Sequence, residues 1–193
     1  MTRPRSRPNA TPLPVQEAQL LRRYPDSRVV RTPQRLTWLG QLTPAPYCDT
    51  YDVLIDHQPW ESPLVYVSRP HLQLVGDDGL PHVYSWNTLC LYLTDREWNP
   101  SLLIADTLVP WASEWLYFYE GWIATQGDWS GEGVHPSPDT GTRGIRRTWE
   151  RTRQEKLERL RSGLIAMYGP GADVERLSRG PWNLGGGPPP GAG

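Results

Sequence analysis

Residues 36–67 read LTWLGQLTPAPYCDTYDVLIDHQPWESPLVYV, and this stretch decides the fold. It contains three runs typical of β-strands, separated by short connections rich in turn-forming residues: Leu36–Leu42, Tyr51–Asp56 and Leu64–Val67. In the middle run, Tyr51, Val53 and Ile55 occupy alternate positions and therefore fall on one face of a strand. Short turns between successive strands favour an antiparallel meander over parallel strands joined by helices.

Helical patterns flank these strands. Val15–Tyr24 predicts a short helix with Leu20 and Leu21 on one face, and Ser101–Gln126 predicts a longer one that Pro110 could break. Thr148–Ile165 predicts a charged helix with a solvated face. The expected fold class is therefore α+β, with an N-terminal helix, an antiparallel four-stranded sheet and C-terminal helices.

Aromatic residues recur at helical spacing within the second of these helices. Trp111, Trp115, Tyr119 and Trp122 predict a stripe that faces the core. The following segment, residues 127–142, is rich in glycine and proline and contains Trp129 and His135, which indicates a loop.

The chain of 193 residues predicts one domain at residues 14–168, between disordered tails at 1–13, rich in Pro and Arg, and 169–193, rich in Gly and Pro. A formal net charge of −1 gives no indication of nucleic acid or membrane partners. No apolar run follows the basic N-terminus, and Leu102–Ala124 carries three acidic residues. We therefore expect a cytoplasmic protein.

The two cysteines, Cys48 and Cys90, are too few for a disulfide framework. With four scattered histidines they form no pattern of metal ligands, so we expect no metal and no cofactor. The sequence contains neither a Gly-x-Gly-x-x-Gly nor a Walker A motif. Activation of a substrate with ATP would accordingly require a separate protein.

Cys90 lies in an apolar, extended run, with His82 eight residues before it and Trp98 eight residues after it. An accessible cysteine thiolate can accept an acyl group, and a donor near the carbonyl oxygen lowers the transfer barrier by roughly 3 kcal/mol. We therefore take Cys90 and His82 as candidate catalytic residues. The candidates for flanking positions are His135, Asn87, Trp98 and Asp95. The alternatives are a buried, inert Cys90 and a structural His82.

This arrangement resembles the active-site segment of ubiquitin-conjugating (E2) enzymes. Those enzymes have a His-Pro-Asn turn whose asparagine lies eight positions before the cysteine, and a Trp-x-Pro after it. Here Leu80-Pro81-His82 stands in place of His-Pro-Asn, while Trp98 and Pro100 match the Trp-x-Pro. The resemblance covers about residues 14–125 and implies a thioester on Cys90. The family asparagine is missing, which is a departure from the pattern; His82 at its position could act as a hydrogen-bond donor or as a base.

The region after Leu108 resembles bacterial E2-like proteins of antiphage CBASS operons, or of related ubiquitin-like conjugation operons. Their Tyr-Glu-x-Trp segment and the following Thr to Trp run are visible as Tyr119–Trp122 and Thr125–Trp129. This resemblance implies that the protein conjugated is a cGAS-like nucleotidyltransferase (CD-NTase) or a ubiquitin-like protein, joined through its C-terminus. It also implies a possible E1-like partner.

Three hypotheses about function remain at this stage. The chain is an E2-like transferase that carries a C-terminal glycine on Cys90 and passes it to an amine. Alternatively, it is an inactive E2-variant scaffold that binds partners, as the missing asparagine permits. The third hypothesis is a cysteine hydrolase that uses Cys90 with His82 or His135 to trim a protein C-terminus.

Overall fold

The computed structural model describes residues 10–76, 79–83, 88–92, 97–131 and 158–170. The elements follow one another in the order α1 (Leu13–Arg23), β1 (Arg28–Arg31), β2 (Leu36–Leu42), β3 (Tyr51–His57), β4 (Leu64–Arg69), a 3-10 turn (Ile104–Asp106), α2 (Leu108–Ala124) and α3 (residues 158–168). The expected α+β fold, with an N-terminal helix, a four-stranded antiparallel sheet and C-terminal helices, is confirmed.

The sheet has the order β1-β2-β3-β4, and all neighbours are antiparallel, as a meander requires. The three strands predicted from sequence are present, although β4 extends two residues further, to Arg69. The edge strand β1, with the sequence RVVR, was not predicted. Its two apolar residues sit between arginines, and most of the strand is exposed, so it lacks the pattern of a core strand.

Both faces of the sheet are buried, whereas the sequence predicted only that Tyr51, Val53 and Ile55 share one face. On the first face, Trp38, Val53, Ile55 and Val65 join a core with residues of α1 and α2. On the second face, Leu39, Leu54, Leu64 and Tyr66 pack with Leu160, Leu164 and Met167 of α3. The predicted solvated face is present, since Glu158 and Arg161 are exposed, but the sequence did not predict the three buried apolar side chains on the other side of the helix.

An ionic network attaches α3 to the sheet. The Asp56 carboxylate is fully buried and is paired with Arg35 of the loop before β2 and with Arg159 of α3. The Arg159 guanidinium lies 2.7 Å from one Asp56 oxygen and 2.6 Å from Glu61. A buried carboxylate needs such partners to offset its lost hydration. The polar side of α3 thus contributes to its attachment, in addition to the apolar side.

Helix α1 begins at Leu13, one residue before the predicted domain boundary. Leu13, Gln16 and Leu20 are buried, but Leu21 is 39% exposed. The prediction that Leu20 and Leu21 share a face is wrong, because successive residues of an α-helix point about 100° apart. The buried Gln16 amide donates to the Leu102 carbonyl at 2.7 Å and accepts from the Ile104 amide at 2.9 Å. Gln16 therefore anchors the segment that leads into α2.

Helix α2 starts at Leu108 and not at Ser101, since the preceding residues form only a 3-10 turn. Pro110 lies in the first turn and does not break the helix, because the amide it lacks would have no partner within the helix there. Trp115, Tyr119 and Trp122 are buried as predicted, whereas Trp111 is only partly buried. Within the described residues, no helix combines the length and apolar character needed to cross a membrane.

Candidate active site

The cysteine-bearing segment lies beside β4 at the edge of the sheet. Thr88 pairs with Tyr66 in an antiparallel bridge, and the Leu89 amide donates to the Val65 carbonyl at 2.8 Å. Leu89 also pairs with Val83 in an antiparallel bridge. Leu89 is buried, and the next side chain, Cys90, is partly exposed. Cys90 is thus the first residue after this bridged pair whose side chain is not fully buried.

The backbone of His82 is bonded to the backbone of Cys90. The Cys90 amide donates to the His82 carbonyl at 2.9 Å, and the Trp115 indole N–H donates to the same oxygen at 3.1 Å. His82 has a φ of +48°, in the left-handed region that histidine enters more readily than most residues. Its side chain is largely buried, and its ring lies 5.2 Å from that of Trp129 between centroids.

Cys90 and His82 line one cavity of about 720 Å³. Helix α2 supplies one wall, and the lining residues within the described part of the chain are His82, Cys90, Leu91, Glu97, Trp111, Glu114, Trp115, Phe118, Trp129 and Ser130. Among the described lining residues, four side chains are large aromatic rings and two are carboxylates, and none is a lysine or arginine. The cavity therefore combines a thiol and an imidazole with an environment that favours a cationic group over an anionic one.

A tight turn after α2 brings Trp129 into this cavity. Gln126 and Gly127 have positive φ values of 59° and 124°, and the Gly127 amide donates to the Trp122 carbonyl at 2.9 Å. Glycine adopts such a conformation without steric cost, which makes it a common residue just beyond a helix end. The reversed chain places the Trp129 ring 5.7 Å from that of Trp115.

Trp98 is a packing residue of the core and does not itself line the cavity. It is 4% exposed, and its ring lies 5.7 Å from those of both His57 and Tyr92. The chain that follows is held to the N-terminal residues, since the Thr11 amide donates to the Pro100 carbonyl at 2.8 Å. This is the position expected of a packing residue that fixes the segment after Cys90.

The other predicted flanking residues, Asn87, Asp95 and His135, lie outside the described residues. Cys48 lies in the connection between β2 and β3, where its amide donates to the Ala45 carbonyl at 2.9 Å, and it is not part of the cavity lining. Within the described ranges, no three His, Cys, Asp or Glu side chains are grouped so that they could hold a metal ion.

Sequence reasoning missed the carboxylate of Glu114 and the aromatic contributions of Phe118 and Trp129. Trp111, Glu114, Trp115 and Phe118 recur at intervals of three and four residues, so they share one side of α2. The spacing was available from the sequence. The sequence did not show which side of the helix lines the cavity with Cys90, because this depends on how α2 packs on the sheet.

Comparison with known proteins gives one family. A family model described as "Type II CBASS E2 protein" matches residues 16–136. The matched range begins within α1 and contains the sheet, the Cys90 segment, α2 and all residues that line the cavity. None of the curated proteins matches the chain.

Proposed function

The chain belongs to the type II CBASS E2 family, and we propose that it carries the C-terminal glycine of a protein as a thioester on Cys90 and transfers it to an amine. The observation that carries the proposal is the shared cavity of Cys90 and His82. Cys90 is partly exposed and lines the same cavity as His82 and the aromatic residues of α2. A buried, inert thiol, as expected of a pure scaffold, would have no such opening.

Loading requires a donor whose carboxyl group is already activated. The Cys90 thiolate attacks the carbonyl carbon of the terminal glycine, a C–S bond forms, and the leaving thiolate of the activating protein departs. Because the sequence has no nucleotide-binding motif of the Walker A type, the activation is assigned to an E1-like partner. Direct attack of Cys90 on a precursor tail is the route that needs no such partner.

Transfer follows when a neutral amine attacks the same carbonyl carbon. A C–N bond forms, the C–S bond breaks, the amine loses a proton, and the Cys90 thiolate leaves and can take up a proton. Negative charge develops on the carbonyl oxygen during this step, so a nearby donor lowers the barrier. We assign that role to the His82 imidazole, which shares the cavity with Cys90 and occupies the position of the family asparagine.

The partner that supplies the glycine is proposed from the family. In CBASS conjugation systems it is a CD-NTase or a ubiquitin-like protein, joined through its C-terminus. We propose that the tail enters the cavity in an extended form, since Cys90 lines it together with aromatic residues of α2 and with Trp129 of the following turn. The acceptor is proposed to be a primary amine, which fits the carboxylates of Glu97 and Glu114 at the same cavity.

The test uses the full chain and a short peptide thioester that ends in glycine. We expect a covalent adduct, detected by intact mass, that a thiol reductant removes. Cys90→Ala should abolish it and Cys90→Ser should either abolish it or give a stable ester. Cys48→Ser is the matched control, because Cys48 is also partly exposed but lies outside the cavity. Full conjugation by Cys90→Ala would refute the proposal.

The fate of the acyl group separates transfer from hydrolysis. Cys90 and His82 in one cavity also suit a cysteine hydrolase, since both reactions share the first acyl transfer. Adding free lysine to the loaded protein should yield a lysyl amide faster than the free acid. Release of the acid alone, at a rate unaffected by lysine, would establish hydrolysis and overturn the assignment as a transferase.

A further inference from the structure

We propose that Trp115 is a positioning residue that acts on Cys90 chemistry through His82. Its indole N–H donates to the His82 carbonyl at 3.1 Å, and this is the same oxygen that accepts the Cys90 amide at 2.9 Å. One carbonyl thus connects the helix wall, the histidine and the nucleophile. The part of the inference that concerns transfer rests on the proposed function.

The conformation of His82 explains why such a bond matters. With φ at +48°, His82 occupies a region that residues with a side chain adopt less readily than the right-handed or extended regions. Surrounding contacts must therefore hold it there. The two hydrogen bonds to its carbonyl do so, and they direct the imidazole toward Trp129, whose ring lies 5.2 Å away between centroids. Loss of the indole donor removes one of the two.

Trp115 is itself fixed, which qualifies it for this role. It is 4% exposed, its ring stacks on Tyr119 at 5.6 Å with the planes 9° apart, and it contacts Trp129 at 5.7 Å. Its rotation is therefore restricted by packing on both sides. A donor held in this way orients the His82 backbone more firmly than a mobile polar side chain would.

The test separates the hydrogen bond from simple packing. Trp115→Phe keeps an aromatic ring and removes the N–H. The matched control is Trp38→Phe, because the buried Trp38 N–H has no hydrogen-bond partner within the described residues. Both variants remove the same atoms from the core, and unfolding by urea measures their effect on stability. Only Trp115→Phe should alter His82.

The first readout is the NMR signal of the His82 imidazole in the full chain, assigned with His82→Gly. The chain has four histidines, so the spectrum is simple. Trp115→Phe should move the His82 signal toward that of a free histidine as its contact with the Trp129 ring loosens, whereas Trp38→Phe should leave it in place. An unchanged His82 signal in folded Trp115→Phe overturns the proposal, whether or not the protein forms a thioester.

The second readout is a double-mutant cycle on transfer from the loaded protein to lysine. Trp115→Phe should slow transfer by about 3- to 10-fold, the range expected for one lost hydrogen bond. In the His82→Gly background, where glycine accepts the positive φ, the same change should cost less than about twofold. Effects that simply multiply would overturn the proposal. If the unmodified chain forms no thioester, the proposed function fails, and the NMR result alone decides the role of Trp115.

Discussion

The imidazole of His57 meets the indole of Trp98 edge to face, with the ring centroids 5.7 Å apart and the planes at 82°. His57 is the last residue of β3 and is fully buried, and Trp98 follows the Cys90 segment. Neither ring nitrogen of His57 has a hydrogen-bond partner within the described residues. Through this contact, the segment that follows Cys90 packs against a buried, uncharged histidine of the core.

The His57 contact predicts a pH dependence of stability. Burial lowers the pKa of His57, Asp56 opposes the shift and Arg159 adds to it, and together they bring the pKa from 6.5 to about 4. Between these values the unfolded chain binds a proton that the folded chain does not, so stability is lost as the pH falls from about 6.5 toward 4. The loss attributable to His57 is about 3 kcal/mol at the lower limit.

His57→Leu removes this titration and keeps an apolar contact for Trp98. We expect the free energy of unfolding in urea to fall less steeply between pH 7 and pH 4.5 in this variant than in the unmodified chain. His71→Leu is the control, because His71 is exposed and should leave the pH dependence unchanged. Parallel stability curves for the unmodified chain and His57→Leu would contradict the assignment.

The Asp56 network predicts how α3 is retained. Arg159→Met removes one of the two arginines that pair with the buried Asp56 carboxylate in the described part of the chain. Because Arg35 still compensates the charge, we expect a loss of about 2 kcal/mol, as for hydrogen bonds to a charged group. Hydrogen exchange should then accelerate in residues 158–168 and in the β3 and β4 residues that they cover. The exposed Arg161 lies on the same helix, and Arg161→Met should change neither the free energy of unfolding nor the hydrogen-exchange rates. Equal effects of the two variants would show that charge at Asp56 is unimportant.

The three core strands could be predicted from sequence because each is an apolar run bounded by turn residues. The burial of both sheet faces could not, because the residues that cover the second face, Leu160, Leu164 and Met167, lie about a hundred positions further along a charged segment. Their spacing is typical of a helix, but the local sequence does not indicate that they pack on Leu54 and Tyr66. The burial of the second face therefore depends on contacts between residues that are far apart in the sequence.

The candidate site shows the same division. The eight-residue spacing of His82 and Cys90 was visible in the sequence, and the bridge between Val83 and Leu89 brings the two backbones together. The positive φ of His82 was not foreseen, since histidine carries no strong turn signal of its own. Glu114 was likewise hidden, because a carboxylate on a helix gives no indication of which neighbour it faces.

Replacing His82 with asparagine distinguishes its two proposed roles. Asparagine also accepts a left-handed conformation and restores the amide found in the E2 enzymes that the segment resembles. If His82 acts as a hydrogen-bond donor to the oxyanion, His82→Asn should retain transfer within about tenfold, whereas His82→Gly should lose about 100-fold or more.

The pH profile of transfer decides the remaining case. A base at His82 would make the rate fall below a pH near the histidine pKa, and His82→Asn would abolish that dependence together with most of the activity. We expect the donor role. Loss of transfer to the same extent in His82→Asn and His82→Gly would contradict it.

Glu114 lies on the wall of α2 that faces Cys90, and its carboxylate is exposed. Opposite charges near a protein surface attract with roughly 0.5–1 kcal/mol, so Glu114→Gln should slow transfer from the loaded protein to lysine by about 2- to 5-fold. The effect should shrink at high salt, because ions screen an exposed pair. Loading of the thioester should be unchanged, since the carboxylate is proposed to attract the acceptor.

Two controls isolate the charge at Glu114. Glu158→Gln removes an exposed carboxylate from α3, on the opposite face of the sheet, and should have no effect on transfer. Hydroxylamine, which is largely uncharged near neutral pH, should discharge the unmodified chain and Glu114→Gln at equal rates. A defect in loading, or an equal loss of reactivity toward hydroxylamine and lysine, would show that Glu114 shapes the cavity and does not attract the ammonium group.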